Sequence, residues 1–431
     1  MLMKDDTRPV LPLWVERMVP GCWYQISGNR PDLDLPPTLA GTRYLADNDP
    51  AKDKNLNPPK SIKEQFRRWL GRRPFAPWQG RCGFPAITEA WNGAAFASKF
   101  GASGSMVVFG GGHNDYFGSD VHAFDLSTRR WSRIFDGYTS GAIHEYGAGA
   151  VYPNAIYPNG SPLPPHTYGY VQYDPVKNDY LLLKGQTELG PDVKATPIPH
   201  LFNLDTLTWR RGPRHPLAVL GSGGWTTWDA SRRTLWGHSG DSGQAFIGFT
   251  PDGANRDGTF GSWTPMYGKK ILTCADHNTM AIDPRRDIIV IAAWRANSLY
   301  VLDPGDPGEK IVRLPVEGSR PLISEFAALE YAPNLDRLVY YSAHDGPEVF
   351  AIAPSDGPTR PQPTKCVWRW QSLVRESNRL NPIAHAQSLS SFQVNRNHTF
   401  GRFRVATYGA IDVAILVRHV DTPVYAMKLN E

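Results

Sequence analysis

The sequence predicts an all-β propeller of six, or at most seven, blades, closed by an N-terminal strand and carrying an irregular N-terminal extension with one short helix. Three observations predict it. First, the apolar run Met106–Phe109, with β-branched Val107 and Val108, is broken by Gly110, Gly111 and Gly112, whose backbone freedom opposes regular structure. Second, the segment that follows recurs. Phe124-Asp-Leu-Ser-Thr-Arg-Arg-Trp131 returns as Phe202-Asn-Leu-Asp-Thr-Leu-Thr-Trp209, with the aromatic-to-Trp spacing kept at seven, and more loosely as Leu299-Tyr-Val-Leu-Asp-Pro304. Third, a hairpin pattern recurs: Tyr173-Asp-Pro-Val-Lys-Asn-Asp-Tyr180, Trp228-Asp-Ala-Ser-Arg-Arg-Thr-Leu235, Ile282-Asp-Pro-Arg-Arg-Asp-Ile288 and Tyr331-Ala-Pro-Asn-Leu-Asp-Arg-Leu338. Apolar strand, polar turn with Asp, Pro or Asn, apolar strand is hairpin chemistry, and its repetition means stacked β-units.

Taken in order, residues 1–20 read as an arm and Cys22–Ser27 as a short strand. Gly28–Pro59 is irregular. Ser61–Leu70 is the clearest helix, with Ile62, Phe66, Trp69 and Leu70 near one face. We therefore divide the chain into an N-terminal arm, strand and helix extension over 1–85 and a propeller over 86–431. Six repeat units follow: Ala90–Phe135, His166–Gly212, Gly223–Met266, Asp276–Leu314, Ser324–Leu373 and His398–Leu429. The sixth is short of strands, and an open ring exposes a sheet edge. Cys22–Ser27 is expected to pair there and close it. The insertion Asp136–Pro165 is too long for an ordinary connection and is expected to be a functional loop or lid.

Composition sets bounds. Forty Gly and 38 Pro among 431 residues, spread rather than periodic, suit a turn-rich β protein. The net charge of +5 is mild and favours acidic polymers, but no basic-aromatic nucleic-acid pattern accompanies it. The four cysteines form no CxxC pair and are expected to be free thiols. No window reaches the ~20 apolar residues of a membrane helix. The N-terminus shows no signal-peptide core, so the chain reads as cytoplasmic, or as reaching a virion or the cell exterior by a route not visible in sequence.

The glycine corner followed by aromatic-Asp-Leu-x-Thr-x-x-Trp resembles kelch repeats and the galactose-oxidase-like propeller superfamily, over about residues 90–430. The phrases Gly110-Gly-Gly-His-Asn-Asp-Tyr116, Asp120-Val-His-Ala-Phe-Asp125 and Gly401-Arg-Phe-Arg404 resemble, more distantly, propeller-fold polysaccharide lyases that cleave ulvan. That resemblance implies a histidine after the first glycine corner and another leading into the next blade, matched here by His113 and His166. The Tyr and Arg those lyases also use have no assigned match. Galactose oxidase's copper ligands are not matched as a set.

Blade topology then places the polar residues. With strands a to d running outward, the b–c corner and the d–a connection open on one face, and the a–b and c–d turns on the other. His113, His238 and His344 fall at b–c corners; His166, His277 and His398 fall at d–a connections. Asp115, Tyr116, Tyr168, Gln186, Asp241, Asp276, Trp294, Arg295 and Arg402 join them. We expect His113 and His166 to act as acid/base or carboxylate-neutralising groups in β-elimination on a uronate-containing glycan, with Tyr168 as the alternative base. Asp115, Tyr116, Arg295 and Arg402 are the expected substrate-binding residues. No cofactor is needed for that reaction. A zinc site on Cys274 and His277, completed by His238 or His344, is a weaker expectation. The other reading is a non-catalytic propeller that binds glycan or neighbouring protein subunits, such as a virion-tail component.

Overall fold

The computed structural model describes residues 9–27, 87–88, 91–110, 119–136, 156–157, 159–184, 198–215, 223–238, 246–264, 277–306, 311–318, 321–325, 327–342, 346–355, 366–382, 399–418 and 422–431. They form six sheets, antiparallel but for one short strand in the fifth, arranged as a closed ring: an all-β, six-bladed propeller. The innermost strands are Ala94–Ala97, Val171–Asp174, Trp225–Asp229, Thr279–Asp283, Ala328–Ala332 and Phe403–Tyr408. Each neighbours the next, and the sixth neighbours the first.

The repeated aromatic and Trp of the sequence are cross-strand partners on strands c and d. Phe124 faces Trp131, Phe202 faces Trp209 and Phe249 faces Trp263, with ring centroids 5.3, 4.8 and 5.2 Å apart. Such pairs hold two strands in register on one face. The repeated Asp or Asn starts the turn. The Val176 N–H donates to Asp174 Oδ1 at 2.9 Å, and the Ser231 N–H to Asp229 Oδ1 at 3.0 Å. Four residues after each such acceptor, the backbone turns left-handed, at Arg129, Asn178, Leu207, Arg233 and Asp287. A side chain there costs about 1–2 kcal/mol, which the side-chain-to-backbone bonds offset.

Ring closure follows the sequence expectation. Trp23–Gln25 pairs antiparallel with Val424–Lys428 as the outer strand of blade 6. The Trp23 indole donates to the Pro347 carbonyl at 2.7 Å, tying the closure to blade 5. The arm before it folds as a short helix, Leu13–Glu16. It lies on blade 1, where the Val10 N–H meets the Ala102 carbonyl at 2.8 Å and the Trp14 indole meets the Leu126 carbonyl at 2.9 Å. The helix expected at 61–70 lies outside the described residues, as does most of the insertion (137–155). One strand went unanticipated: Val316–Glu317 adds in parallel to the outer edge of blade 5. No helix among the described residues is long and apolar enough to cross a membrane.

The core lies between blades rather than at the axis. On the a–b side a latch joins every neighbouring pair of blades. Arg233 of blade 3 binds Asp174 of blade 2, and Arg232 binds Asp287 of blade 4. Arg285 and Arg286 of blade 4 bind Asp336 of blade 5, and Asn334 binds Asp412 of blade 6. The Tyr408 hydroxyl reaches the Ser103 carbonyl of blade 1, and the Lys99 N–H of blade 1 donates to the Tyr173 hydroxyl of blade 2.

Candidate functional site: the axial mouth

The opposite face is organised by one position repeated around the axis. Two or three residues before each innermost strand stand Trp91, Tyr168, Gly223, His277, Glu325 and Phe400. The backbone there is stitched blade to blade: the Tyr168 N–H donates to the Trp91 carbonyl at 2.7 Å, and the His277 N–H to the Gly223 carbonyl at 2.8 Å. Tyr168, His277 and Phe400 are left-handed, at φ 41°, 61° and 48°. Bulky side chains rarely adopt that region, and residues held there cluster at functional sites.

The side chains converge. Tyr168 lies 6.5 Å from Trp91, 6.4 Å from His277 and 6.3 Å from Phe400, centroid to centroid. It reaches from blade 2 to blade 4 because blade 3 offers Gly223. A Cβ on Gly223 would stand 1.8 Å from the His277 ring, so any other residue would evict the imidazole. His277 Nδ1 is 3.1 Å from Glu325 Oε1, with those side chains 21% and 34% exposed. Trp91 is half-buried, whereas Tyr168 and Phe400 are buried. Behind this layer, His166 packs 4.8 Å from Trp91 and 5.9 Å from Tyr168. Lys184 Nζ sits 5.5 Å from the Tyr168 ring centre.

The structure therefore brings His166, Tyr168 and His277 together on the expected face. His166 is fully buried, behind the half-buried Trp91 and the buried Tyr168. Arg402 is also buried, and its guanidinium donates to the Val417 and Arg418 carbonyls at 3.0 and 2.7 Å and to that of Asn92. Burial and the adjacent Arg418 push its pKa down to about 9. Its place is in closing blade 6 onto blade 1. Arg295 is exposed at the b–c corner of blade 4, its guanidinium 5.0 Å from the Trp294 ring centre. His238 is buried, which lowers its pKa to about 4. His113, Asp115, Tyr116, Gln186, Asp241, Cys274, Asp276, His344 and His398 lie outside the described residues. Among the described residues no group of three or more His, Cys, Asp or Glu side chains is placed to hold a metal.

Sequence reasoning missed Glu325, Trp91 and Phe400 because it followed histidines. The available signal was position: a bulky or charged residue two or three places ahead of five of the six innermost strands, with Gly223 in the sixth, several followed by Gly or Asn, as in Trp91-Asn-Gly, Tyr168-Gly, His277-Asn and Phe400-Gly.

No protein-family model matches the chain, and no curated protein matches it. Among solved structures, similarity is found to a nidogen/laminin complex chain (12% identity, TM-score 0.35, 65% of this chain and 84% of that one). It is also found to the allergen Mala s 1 of Malassezia sympodialis (10%, 0.40, 76% and 89%). A third is a structural-genomics protein of unknown function from Bacteroides thetaiotaomicron (8%, 0.43, 78% and 69%). The propeller assignment rests on the strand order of this chain itself.

Proposed function

We propose that this kelch-like propeller binds a glycan at its axial mouth, and that on a uronate-containing chain the mouth carries out β-elimination. The supporting observation is the convergence of Trp91, Tyr168, His277 and Glu325 from four blades on one opening, with left-handed backbone at Tyr168 and His277. Ligand sites in such rings sit where loops converge on the axis. The half-buried Trp91 indole offers a flat apolar face for a sugar ring. Glu325 Oε1, 3.1 Å from His277 Nδ1, is placed to orient the imidazole for proton transfer.

In the reaction, His277 takes the C5 proton of the uronate. The electron pair left behind forms the C4=C5 double bond as the C4–O bond breaks. The departing glycosidic oxygen takes a proton from the Tyr168 hydroxyl or from the imidazolium. The Lys184 ammonium, behind Tyr168, favours the negative charge that develops. His113 keeps the acid/base role the sequence suggests only as a member of this proposal; the fully buried His166 is assigned to packing behind Trp91 and Tyr168.

Non-catalytic binding of a glycan or protein is the second reading. The burial of His166 favours it, since this removes an expected catalytic group from solvent; Arg402, an expected substrate-binding residue, is likewise engaged by three carbonyls. One experiment separates the two. Wild-type protein is incubated with a panel of uronic-acid polymers, reading the ultraviolet absorbance of the new double bond alongside retention on immobilised polymer. Absorbance that His277→Gln abolishes supports elimination. Retention without absorbance supports binding alone, and neither signal with any glycan sinks the glycan reading.

A further inference from the structure

The axis is not an open tunnel. From blade 6, Arg404 crosses it: Nε donates to the Ala94 carbonyl of blade 1 at 2.7 Å, and Nη2 to the Val171 carbonyl of blade 2 at 2.9 Å. Nη1 meets Glu330 Oε1 of blade 5 and, at 3.5 Å, Gln172 Oε1. Gln172 in turn donates to the Thr226 carbonyl of blade 3 at 2.7 Å. On the a–b side of this crossbar lies a recess of about 460 Å³, walled by Phe96, Tyr173 and Trp228, with Gln172, Glu330 and Arg404 at its floor.

The floor has a definite polarity. Arg404 and Gln172 direct their donors to protein acceptors. Among the described residues nothing donates to Glu330 Oε2, and the Glu330 side chain keeps 23% of its surface. Burial raises the Glu330 pKa, and Arg404 opposes that rise. The open group at the floor is thus an acceptor, and its charge is already balanced by Arg404. A balanced acceptor favours a neutral donor over a cation. Three aromatic walls favour a ring with apolar faces. Because the crossbar closes the inner end, the recess takes the end of a chain and not its middle.

We propose that this recess is a second ligand site, distinct from the axial mouth, that binds a neutral terminal pyranose, its hydroxyls donating to Glu330 and its faces against the aromatic walls. The assignment does not rest on the reading of the mouth. The test is calorimetric titration of the full chain with methyl β-D-glucopyranoside and methyl β-D-galactopyranoside, with tetramethylammonium as the cationic control. Glu330→Gln turns the open acceptor into a donor while keeping an oxygen for Arg404, and is expected to weaken pyranoside binding about tenfold. Phe96→Ala, on a half-buried wall away from the crossbar, is expected to weaken it severalfold, and serves alone should Glu330→Gln fail to fold. Trp91→Ala at the mouth is expected to leave it unchanged. Saturation by neither pyranoside, binding of tetramethylammonium in their place, or a loss in Trp91→Ala with Phe96→Ala unaffected would each overturn the proposal.

Discussion

The two faces of the ring are built from different chemistry. The a–b face is a belt of ion pairs and hydrogen bonds that joins each blade to its neighbours. The mouth is a collar of rings with one imidazole–carboxylate pair, held by left-handed backbone. The belt satisfies its own groups, and the recess proposed above lies inside it, at the axis. The collar presents the half-buried Trp91 ring and a partly exposed imidazole–carboxylate pair. The inter-blade ion pairs and the aromatic collar thus sit at opposite ends of the same strands, with the Arg404 crossbar between them.

That contrast is open to attack, first at the belt. Arg286 is almost fully buried, pairing Asp283 at 2.7 Å and Asp336 at 3.0 Å. Arg286→Leu leaves a buried carboxylate without its partner and is expected to cost about 3–5 kcal/mol in urea unfolding. His277→Gln at the mouth, by contrast, is expected to leave the unfolding midpoint within about 1 kcal/mol of wild type. A mouth substitution that destabilises as much as the belt one would erase the distinction.

Acid sharpens it. Burial, with help from Arg211, lowers the His200 pKa from 6.5 to about 3, and burial lowers that of His238 to about 4. Below pH 6.5 the unfolded chain therefore binds protons that the folded chain refuses. The sign is fixed: stability is intact above about pH 6.5 and falls as the pH drops toward 4 and 3. His200→Leu should flatten that limb of the midpoint-versus-pH curve, and an unchanged slope would refute the assignment. At Asp229, burial acts to raise the pKa, but bonds from Ser231, Arg232 and Trp236 outweigh it and hold the carboxyl low. Its contribution is present at neutral pH and is lost only as the pH falls through that low value.

Smaller effects follow. Trp91→Ala is expected to weaken glycan retention about tenfold, for a loss of roughly 1.5 kcal/mol of stacking, with little change in the unfolding midpoint. Smallest of all is Arg369→Ala. Its 3.8 Å contact with Glu317 is two-thirds exposed on both sides, and its loss should cost less than about 0.5 kcal/mol by chemical denaturation.

The sequence made the belt legible because its turns demand particular residues. An Asp or Asn acceptor, a Pro, and a cross-strand aromatic–Trp pair are local signals, so the strands, six blades and closing strand at Trp23–Gln25 could be read directly. The collar is not local. Trp91, Tyr168, His277 and Glu325 share no residue type, and only the ring brings them within reach of one another. Arg402 and Arg404 stood out in the phrase Gly401-Arg-Phe-Arg404, but their partners Asn92, Ala94 and Val171 lie on other blades, hundreds of residues away in the chain. Carbonyl-bound arginines leave no mark in a sequence that distinguishes them from ligand-binding ones.

The central claim is that the collar is where a glycan sits. The measurement that bears on it most directly is a crystal structure of the protein with a bound uronate oligosaccharide. The account expects a sugar ring against Trp91 with a hydroxyl or C–H directed at His277 and Glu325. An oligosaccharide bound on the outer blade edges, with the collar empty at saturating concentration, would contradict it.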